Sequence, residues 1–183
     1  MNLVARVFVF GFLSFLFTTP VVAQERLSAI RAARLIDGSG APPINDPVVL
    51  VRGDTIMAVG TAADVSIPSS AQIIDLGDFT ILPGLIDCHV HITGTPGDGG
   101  DTQALRETEG HGAIHGVVNA KITLETGFTT IRNTGSNSYG DVAVRDMINA
   151  GVIPGPRIYV ATRGLGITGG HADINGWSPH VDL

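Results

Sequence analysis

The sequence predicts an α/β protein: a small N-terminal β-module followed by the first three βα units of an incomplete TIM-type (β/α)8 barrel. Three observations support this fold class. Short apolar segments separated by Gly, Pro and Asp fill residues 24–78 without a long helical period. From residue 79 the pattern alternates strand, helix, strand, helix, strand, which is typical of a parallel sheet. The chain has 183 residues, whereas a complete eight-unit barrel needs about 250.

Residues 1–23 have the three-part composition of a secretory signal peptide. One basic residue, Arg6, precedes an apolar run over residues 7–17, and Val21-Val22-Ala23 supplies small residues at the expected cleavage site. A membrane anchor is the alternative, but the run is well short of the roughly 20 residues that cross a bilayer. We therefore expect cleavage after Ala23, a periplasmic or secreted mature chain, and no stable membrane anchor.

The charge and cysteine content argue against nucleic acid as a partner and exclude a disulfide within the chain. Removing the leader takes away Arg6 and no acid, which leaves 10 basic and 17 acidic residues and a formal charge of −7. Phosphate binding requires clustered Lys and Arg, and Lys121 is the only Lys, so nucleic acid is not an expected partner. A disulfide within the chain is excluded because Cys88 is the only Cys, and we expect it to be buried as a small apolar residue.

The β-module, residues 24–78, is predicted as short strands joined by turns. Gly53-Asp54 lies between two apolar segments and has the composition of a two-residue hairpin turn, where Gly relieves the strain of a positive φ. Asp37-Gly38-Ser39-Gly40 ends the preceding strand. The expected strands are residues 29–36, 48–52, 55–59 and 72–76.

The barrel segment, residues 79–183, is predicted to contain three strands and two helices. Gly127 and Gly151 are placed to end the two helices. The run Ser138-Tyr139-Gly140-Asp141 resembles a capping box that opens the second helix. The expected strands are residues 85–91, 128–132 and 157–162, and the expected helices are residues 103–126 and 138–150.

His89 and His91 are the strongest candidates for metal ligands. Two residues at i and i+2 on a strand point to the same side of the sheet, so both imidazoles can reach one cation. Neutral imidazole suits zinc and similar divalent metals, and the carboxyl end of a barrel strand is where such folds assemble active sites. Two ordinary edge-strand histidines are the alternative. A catalytic zinc also needs a third protein ligand and an open position.

Other polar residues are weaker candidates for a functional site. His171 follows the third strand at the same barrel end, so it is a candidate substrate-binding residue. His111 and His115 lie four residues apart on a helix but lack the Glu of a metalloprotease helix, so we expect a solvated face. Lys121 is expected on the outside of the barrel. Asp87 is expected to make a structural hydrogen bond.

Several ordered motifs are similar to those of one superfamily. Residues 73–91, ending in Pro83-Gly84-Leu85-Ile86-Asp87-Cys88-His89-Val90-His91, resemble the barrel entry of the amidohydrolase superfamily of metal-dependent hydrolases. Its N-terminal β-module is similar to residues 35–38 and 53–60. Segments 126–135, 153–157 and 168–171 resemble the branch of imidazolonepropionase-related proteins and metal-dependent Xaa-Pro dipeptidases.

This resemblance implies roles for particular residues. His89 and His91 would be the first-strand ligands of a divalent metal, with zinc the expected ion. The implied reaction is hydrolysis of an amide or related C–N bond in a small amide or dipeptide substrate, with water activated by the metal. Asn133 stands where relatives often carry Asp, and it brings no charge to the site.

The resemblance also implies features that have no counterpart in this sequence. Family members usually add a carboxylated lysine, two further His and a late catalytic Asp, and none can be assigned here. Three parallel strands alone also leave an open edge and an unfilled interior. We therefore expect the 183-residue chain by itself to be inactive. A truncated product or a non-enzymatic binding fragment is the alternative function, and the sequence leaves the oligomeric state open.

Overall fold

The computed structural model describes residues 26–95, 97, 106–136 and 138–170. The predicted signal peptide and His171 lie outside these residues, so export and the role of His171 stay predictions. Within the described ranges no helix is long and apolar enough to cross a membrane. The chain divides into two compact units: the first contains residues 26–35 and 44–79, and the second contains residues 36–43 and the described residues from Thr80 onward.

The first unit is built on a four-stranded sheet with the order β5-β4-β1-β6. The predicted hairpin is confirmed, because β4 and β5 pair antiparallel across Gly53, whose φ is +58°. β1 pairs antiparallel with β4 and parallel with β6. Ala29, Val48 and Val65 form the buried core. The strands are β1 (Leu27–Arg31), β2 (Arg34–Leu35), β3 (Ile44–Asn45), β4 (Pro47–Arg52), β5 (Thr55–Thr61) and β6 (Gln72–Asp75).

One predicted strand of the first unit is divided in two. Residues 29–36 were expected to be continuous, but β1 ends at Arg31 and β2 begins at Arg34. The reason is a change of partner, since β1 lies between β4 and β6 whereas β2 pairs antiparallel with β3. Backbone pairing decides this break, and the apolar pattern does not reveal it.

The second unit contains a three-stranded parallel sheet with the order β10-β9-β8. This confirms the strand and helix alternation that the sequence predicts. In the register, Asp87 lies opposite Ile131 and Val90 opposite Asn133, so β8 and β9 end side by side. The elements are β7 (Thr80–Ile81), β8 (Leu85–Val90), α1 (Glu109–Glu125), β9 (Phe128–Asn133), α2 (Gly140–Asn149) and β10 (Arg157–Tyr159).

The core of the second unit lies between the parallel sheet and the two helices. The two helices approach closely at Gly116, where an added Cβ would lie 2.8 Å from a methyl carbon of Val144. Gly127 and Gly151 follow the helices with φ of +97° and +69°, as their predicted role at helix ends requires. The buried apolar residues are Ile92, Ala120, Ile131, Val144 and Ile158.

The helix starts differ from the predictions. The first helix was expected from residue 103, but α1 begins at Glu109 with Thr108 as its N-cap, while residues 103–105 lie outside the described part. The predicted capping box at Ser138 is wrong, because the N-cap of α2 is Tyr139, which makes no side-chain cap. Asp141, the acid in that motif, is buried and takes part in a network of hydrogen bonds instead.

Cys88 is exposed, so the prediction that it is buried is wrong. It lies on β8, which is the outer strand of the described three-stranded sheet. An edge strand has a neighbour on one side only, so its apolar composition does not ensure burial. Among the described residues, no neighbour shields the side chains of Ile86 and Cys88 from solvent, and both are exposed.

Candidate functional site

His89 and His91 lie together at the carboxyl end of β8. His89 is on the strand and His91 follows its last residue, Val90. The two ring centroids are 5.6 Å apart, with the ring planes inclined by 67°. Both residues are exposed. Because zinc and imidazole nitrogen bond at about 2.0–2.1 Å, two exposed rings this close can contribute one nitrogen each to a shared ion.

A backbone carbonyl orients the His91 ring. Its Nδ1 lies 3.0 Å from the oxygen of Gly135, in the loop after β9. A carbonyl oxygen can only accept, so the hydrogen of the neutral ring must be on Nδ1. Nε2 then keeps its lone pair and is the atom available to a metal. This is the arrangement by which proteins usually orient metal-binding histidines.

Asp87 stabilises the strand end locally. Its Oδ1 accepts a hydrogen bond from the backbone N–H of His89 at 2.9 Å. The expected structural hydrogen bond is therefore confirmed. The bond constrains the backbone that carries the His89 ring.

A buried polar network lies beneath the histidine pair. Asn133, at the end of β9, and Asp141, in the first turn of α2, both have zero relative exposure. Oδ1 of Asn133 accepts from the backbone N–H of Ile92 at 2.8 Å. Its Nδ2 donates to Oδ2 of Asp141 at 2.8 Å and to the oxygen of Gly135 at 3.3 Å. The side chain of Asn133 therefore reaches residues that follow both β8 and β9.

Asp141 connects this network to the segment after β10. Its Oδ2 accepts from the backbone N–H of Thr162 at 3.0 Å, and its Oδ1 accepts from its neighbour Val142 at 2.9 Å. Hydrogen bonds to an ionised acceptor are stronger than neutral ones, so three N–H donors compensate for the burial of the carboxylate. The third strand was expected to continue to Thr162 but ends at Tyr159. Thr162 leaves the extended conformation with φ of +63°.

Helix α1 holds the segment that follows His91. Nδ2 of Asn119 donates to the carbonyl oxygens of Ile92 and Gly94, each at 2.8 Å. The hydroxyl oxygens of Thr93 and Ser136 are 2.9 Å apart, which joins the segment to the loop after β9. The histidine end of β8 is thus attached to both α1 and β9.

The remaining sequence candidates lie elsewhere. Nδ1 of His111 accepts from the N–H of Thr108 at 3.1 Å and caps α1, and His115 pairs with Glu107 at 3.4 Å. Lys121 is exposed, as expected, and lies 3.8 Å from Glu125. In the part of the chain that the structure describes, no group of three or more His, Cys, Asp and Glu could hold a metal. The structure therefore brings His89 and His91 together without a third such ligand from the described residues.

Sequence reasoning missed most of the supporting network. Asn133 was noted only for the charge that it lacks, and Asp141 only as part of a capping box. An uncharged amide at a strand end, followed eight residues later by an acid in a helix's first turn, was the available signal. Gly135 and Asn119 carried no signal of their own, because the contacts that attach them to the segment around His91 join residues 25 to 44 positions apart.

Comparison with known proteins agrees with this fold. The profile of the amidohydrolase family matches residues 80–173. Ochratoxinase of Aspergillus niger is 32% identical in an alignment of 163 positions that covers 82% of this chain and 31% of the relative. An imidazolonepropionase of Idiomarina loihiensis is 37% identical over 69 residues, covering 38% of this chain and 17% of the relative. The chain belongs to the amidohydrolase family.

Solved structures with the same fold include two hydrolases. A Xaa-Pro dipeptidase with methionine bound in its active site superposes with a TM-score of 0.73 at 32% identity, over 84% of this chain and 37% of that one. The crystal structure of A. niger ochratoxinase gives a TM-score of 0.70 at 29% identity, over 82% of this chain and 35% of that one. This chain thus spans about a third of the length of these relatives.

Proposed function

We propose that this chain carries the first-strand part of a metal-dependent hydrolase centre, with His89 and His91 as two ligands of a divalent cation, zinc. The observation that carries the proposal is the exposed histidine pair at the carboxyl end of β8, in which Gly135 leaves Nε2 of His91 free. Family membership supports it, because the amidohydrolase superfamily generally uses a divalent metal. The interpretation as two unrelated edge-strand histidines accounts for the shared side, which follows from the i, i+2 spacing, but it gives no role to the contact that leaves Nε2 of His91 free.

The proposed reaction is hydrolysis of a C–N bond in a small amide or dipeptide. The relatives named ochratoxinase, imidazolonepropionase and Xaa-Pro dipeptidase support this substrate class. When bound, a divalent metal supplies polarisation of the scissile carbonyl and activation of water. In this chain, the two imidazoles hold the ion and the buried network keeps the ends of β8, β9 and β10 in fixed relative positions. His171 remains a candidate for contact with the substrate.

We propose that the second unit forms the first three βα units of a TIM-type barrel. The parallel order β10-β9-β8 and the neighbouring structures support this arrangement. A catalytic metal centre needs a third protein ligand, which under this proposal comes from residues outside the described part. The hydrolytic activity belongs to the assembled barrel, while the histidine pair binds metal in this chain.

Zinc binding by the purified chain tests the metal proposal. We expect one zinc ion per chain, measured by competition with a chromogenic chelator, and loss of that binding in His89→Ala and in His91→Ala. The matched control is His111→Ala, which removes an imidazole on α1 and should leave the affinity unchanged. One equivalent of zinc that persists in both site variants would contradict the proposal.

A second candidate is a protein that binds a metal or a small amide without hydrolysing it. The histidine pair favours it, because two imidazoles suffice to hold an ion whereas a catalytic zinc needs three protein ligands. Hydrolysis of N-acyl amino acids and Xaa-Pro dipeptides, with zinc and with chelator, separates the two functions. Chelator-sensitive turnover that disappears in His91→Ala would exclude the binding-only function for this chain. Zinc binding without turnover would support it.

We also propose that the chain is exported. The basic residue, apolar run and small residues of positions 1–23 support a cleaved leader. Expression in a bacterium followed by fractionation should give a periplasmic or secreted chain that begins at Gln24. A cytoplasmic chain that keeps Met1 would contradict export.

A further inference from the structure

We propose that Asn133 is a positioning residue for His91, that it acts through the carbonyl of Gly135, and that Asp141 fixes the orientation of its amide. The inference rests on the metal centre proposed above and extends it to residues that contact neither metal nor substrate.

The three contacts of Asn133 permit a single orientation of its amide. The backbone N–H of Ile92 is a donor and must face an oxygen, and it lies 2.8 Å from Oδ1. Oδ2 of Asp141 and the oxygen of Gly135 are acceptors and must face the amino group, which lies 2.8 Å and 3.3 Å from them. A flipped amide would place donor against donor and acceptor against acceptor at a site with zero exposure. Asn133 is therefore held rigidly.

The carbonyl oxygen of Gly135 is shared by two donors. It accepts from Nδ2 of Asn133 at 3.3 Å and from Nδ1 of His91 at 3.0 Å. A carbonyl oxygen has two lone pairs, so both are used. The rigid amide fixes the position of the oxygen, and the oxygen fixes the tautomer and orientation of the His91 ring. Asn133 thus acts on His91 without touching it.

The pair Asn133 and Asp141 is chemically matched. An Asp at position 133 could still accept from Ile92, but it would face the Asp141 carboxylate with no hydrogen to donate. The reversed pair, Asp at 133 and Asn at 141, restores one hydrogen bond between the two side chains. It leaves the N–H of Thr162 facing the new amino group, without the acceptor that Oδ2 of Asp141 provides. It cannot restore the donor to the Gly135 oxygen, because a carboxylate has none. The reversed pair therefore separates support of the fold from positioning of His91.

The experiment compares the full chain with Asn133→Asp, with Asp141→Asn, and with the double variant Asn133→Asp/Asp141→Asn. Long-range 1H–15N spectra of the imidazole rings, recorded where the ring is neutral, report the tautomer of His91. Chelator competition reports zinc affinity, and thermal unfolding reports stability. Ile131→Val is the control for lost stability, since it removes one buried methylene from a side chain that makes none of the network's hydrogen bonds.

The wild type and Asp141→Asn should hold His91 with its hydrogen on Nδ1. The double variant should regain part of the thermal stability that Asn133→Asp loses, because the two side chains bond again while the N–H of Thr162 stays without its acceptor. Its Nδ1–H fraction should fall and its zinc affinity should drop by about 10–100-fold, as loss of an outer partner typically causes. Ile131→Val should lose stability and keep the tautomer. If the double variant does not fold, Asn133→Ala removes the same donor without adding a charge.

A double variant that keeps both the wild-type tautomer and the wild-type zinc affinity would overturn the proposal and leave Asn133 a role in stability alone. A changed tautomer with unchanged, stoichiometric zinc binding would support positioning of the ring by Asn133 and overturn His91 as the zinc ligand. Different results would therefore overturn the positioning role of Asn133 and the role of His91 as a zinc ligand.

Discussion

The two units of this chain use their polar side chains in different ways. In the first unit, the side chains of Asp54, Asp64 and Asp75 bond to groups no more than three residues away. In the second unit, side-chain hydrogen bonds of His91 and Asn133 span 44 and 41 residues. Local bonds shape single turns, whereas the distant ones join separate elements.

This difference shows where side-chain chemistry determines structure. The first unit has its order from backbone ladders between strands, and its aspartates stabilise turns at the surface. The second unit places buried polar groups at the carboxyl ends of its strands, and an unpaired buried group costs about 1–3 kcal/mol. Substitutions in the network should therefore lower the free energy of unfolding strongly, and substitutions in the surface turns should lower it only slightly.

The largest expected loss of stability comes from removing apolar packing in the core of the second unit. Ile131→Ala should lower the free energy of unfolding by about 3–4 kcal/mol, because Ile131 has zero exposure in the core of the second unit. Urea unfolding followed by circular dichroism measures it. Ile114→Ala is the matched control, since Ile114 is 68% exposed on α1 and should cost less than about 0.5 kcal/mol. Equal effects of the two variants would contradict the described core.

Removal of the network's acceptor should have the next largest effect. Asp141→Ala leaves Asn133 and the N–H groups of Val142 and Thr162 without their acceptor, which should cost about 2–3 kcal/mol. Amide hydrogen exchange should rise most between residues 128 and 162. Asp146→Ala, on the exposed side of α2, should leave both measurements near the wild-type values. An Asp141→Ala protein as stable as the Asp146→Ala protein would show that the network contributes nothing to stability.

A smaller effect is expected for the anchor from α1. Asn119→Ala removes two hydrogen bonds to the segment after His91 and should cost about 1–2 kcal/mol. Hydrogen exchange of the peptide that covers residues 90–95 should increase. Lys121→Ala, on the same helix but exposed, is the control and should not change it. Unchanged exchange in Asn119→Ala would mean that other contacts hold this segment.

The smallest effect should come from a surface turn of the first unit. The hydroxyl of Thr61, followed by its backbone N–H, holds the pKa of Asp64 below its usual value near 3.8. Because the pKa is lower in the folded state, this contribution to stability is present above pH 3.8 and is lost as the pH falls through the folded-state pKa.

The pH dependence of Asp64→Asn tests this sign. The variant should be slightly less stable than the wild type near pH 6, and the difference should shrink as the pH falls below 3.8. Thermal unfolding between pH 2.5 and pH 6 would measure it. A difference that grows on acidification would reverse the expected sign.

Much of the fold followed from sequence pattern, and the exceptions have physical causes. The hairpin at Gly53 and the parallel strands around α1 and α2 were predicted, because turn residues and the period of apolar residues are local signals. The start of α1, the cap of α2 and the exposure of Cys88 were not. The start of α1 has a local signal, the capping pair of Thr108 and His111, which the prediction did not use. The exposure of Cys88 and the role of Asp141 at the start of α2 depend on neighbours from distant parts of the chain, about which a local pattern contains no information.

For the candidate site, the sequence by itself determined the pair. The i, i+2 spacing of His89 and His91 on an extended strand is sufficient to put both rings on one side. Only the tertiary structure decided which ring nitrogen is free and what holds it so, because Gly135, Asn133 and Asp141 reach the pair through strand register and helix placement. Hydrogen bonds between distant residues depend on three-dimensional position to within a fraction of an ångström, and that position is a property of the packed sheet and helices.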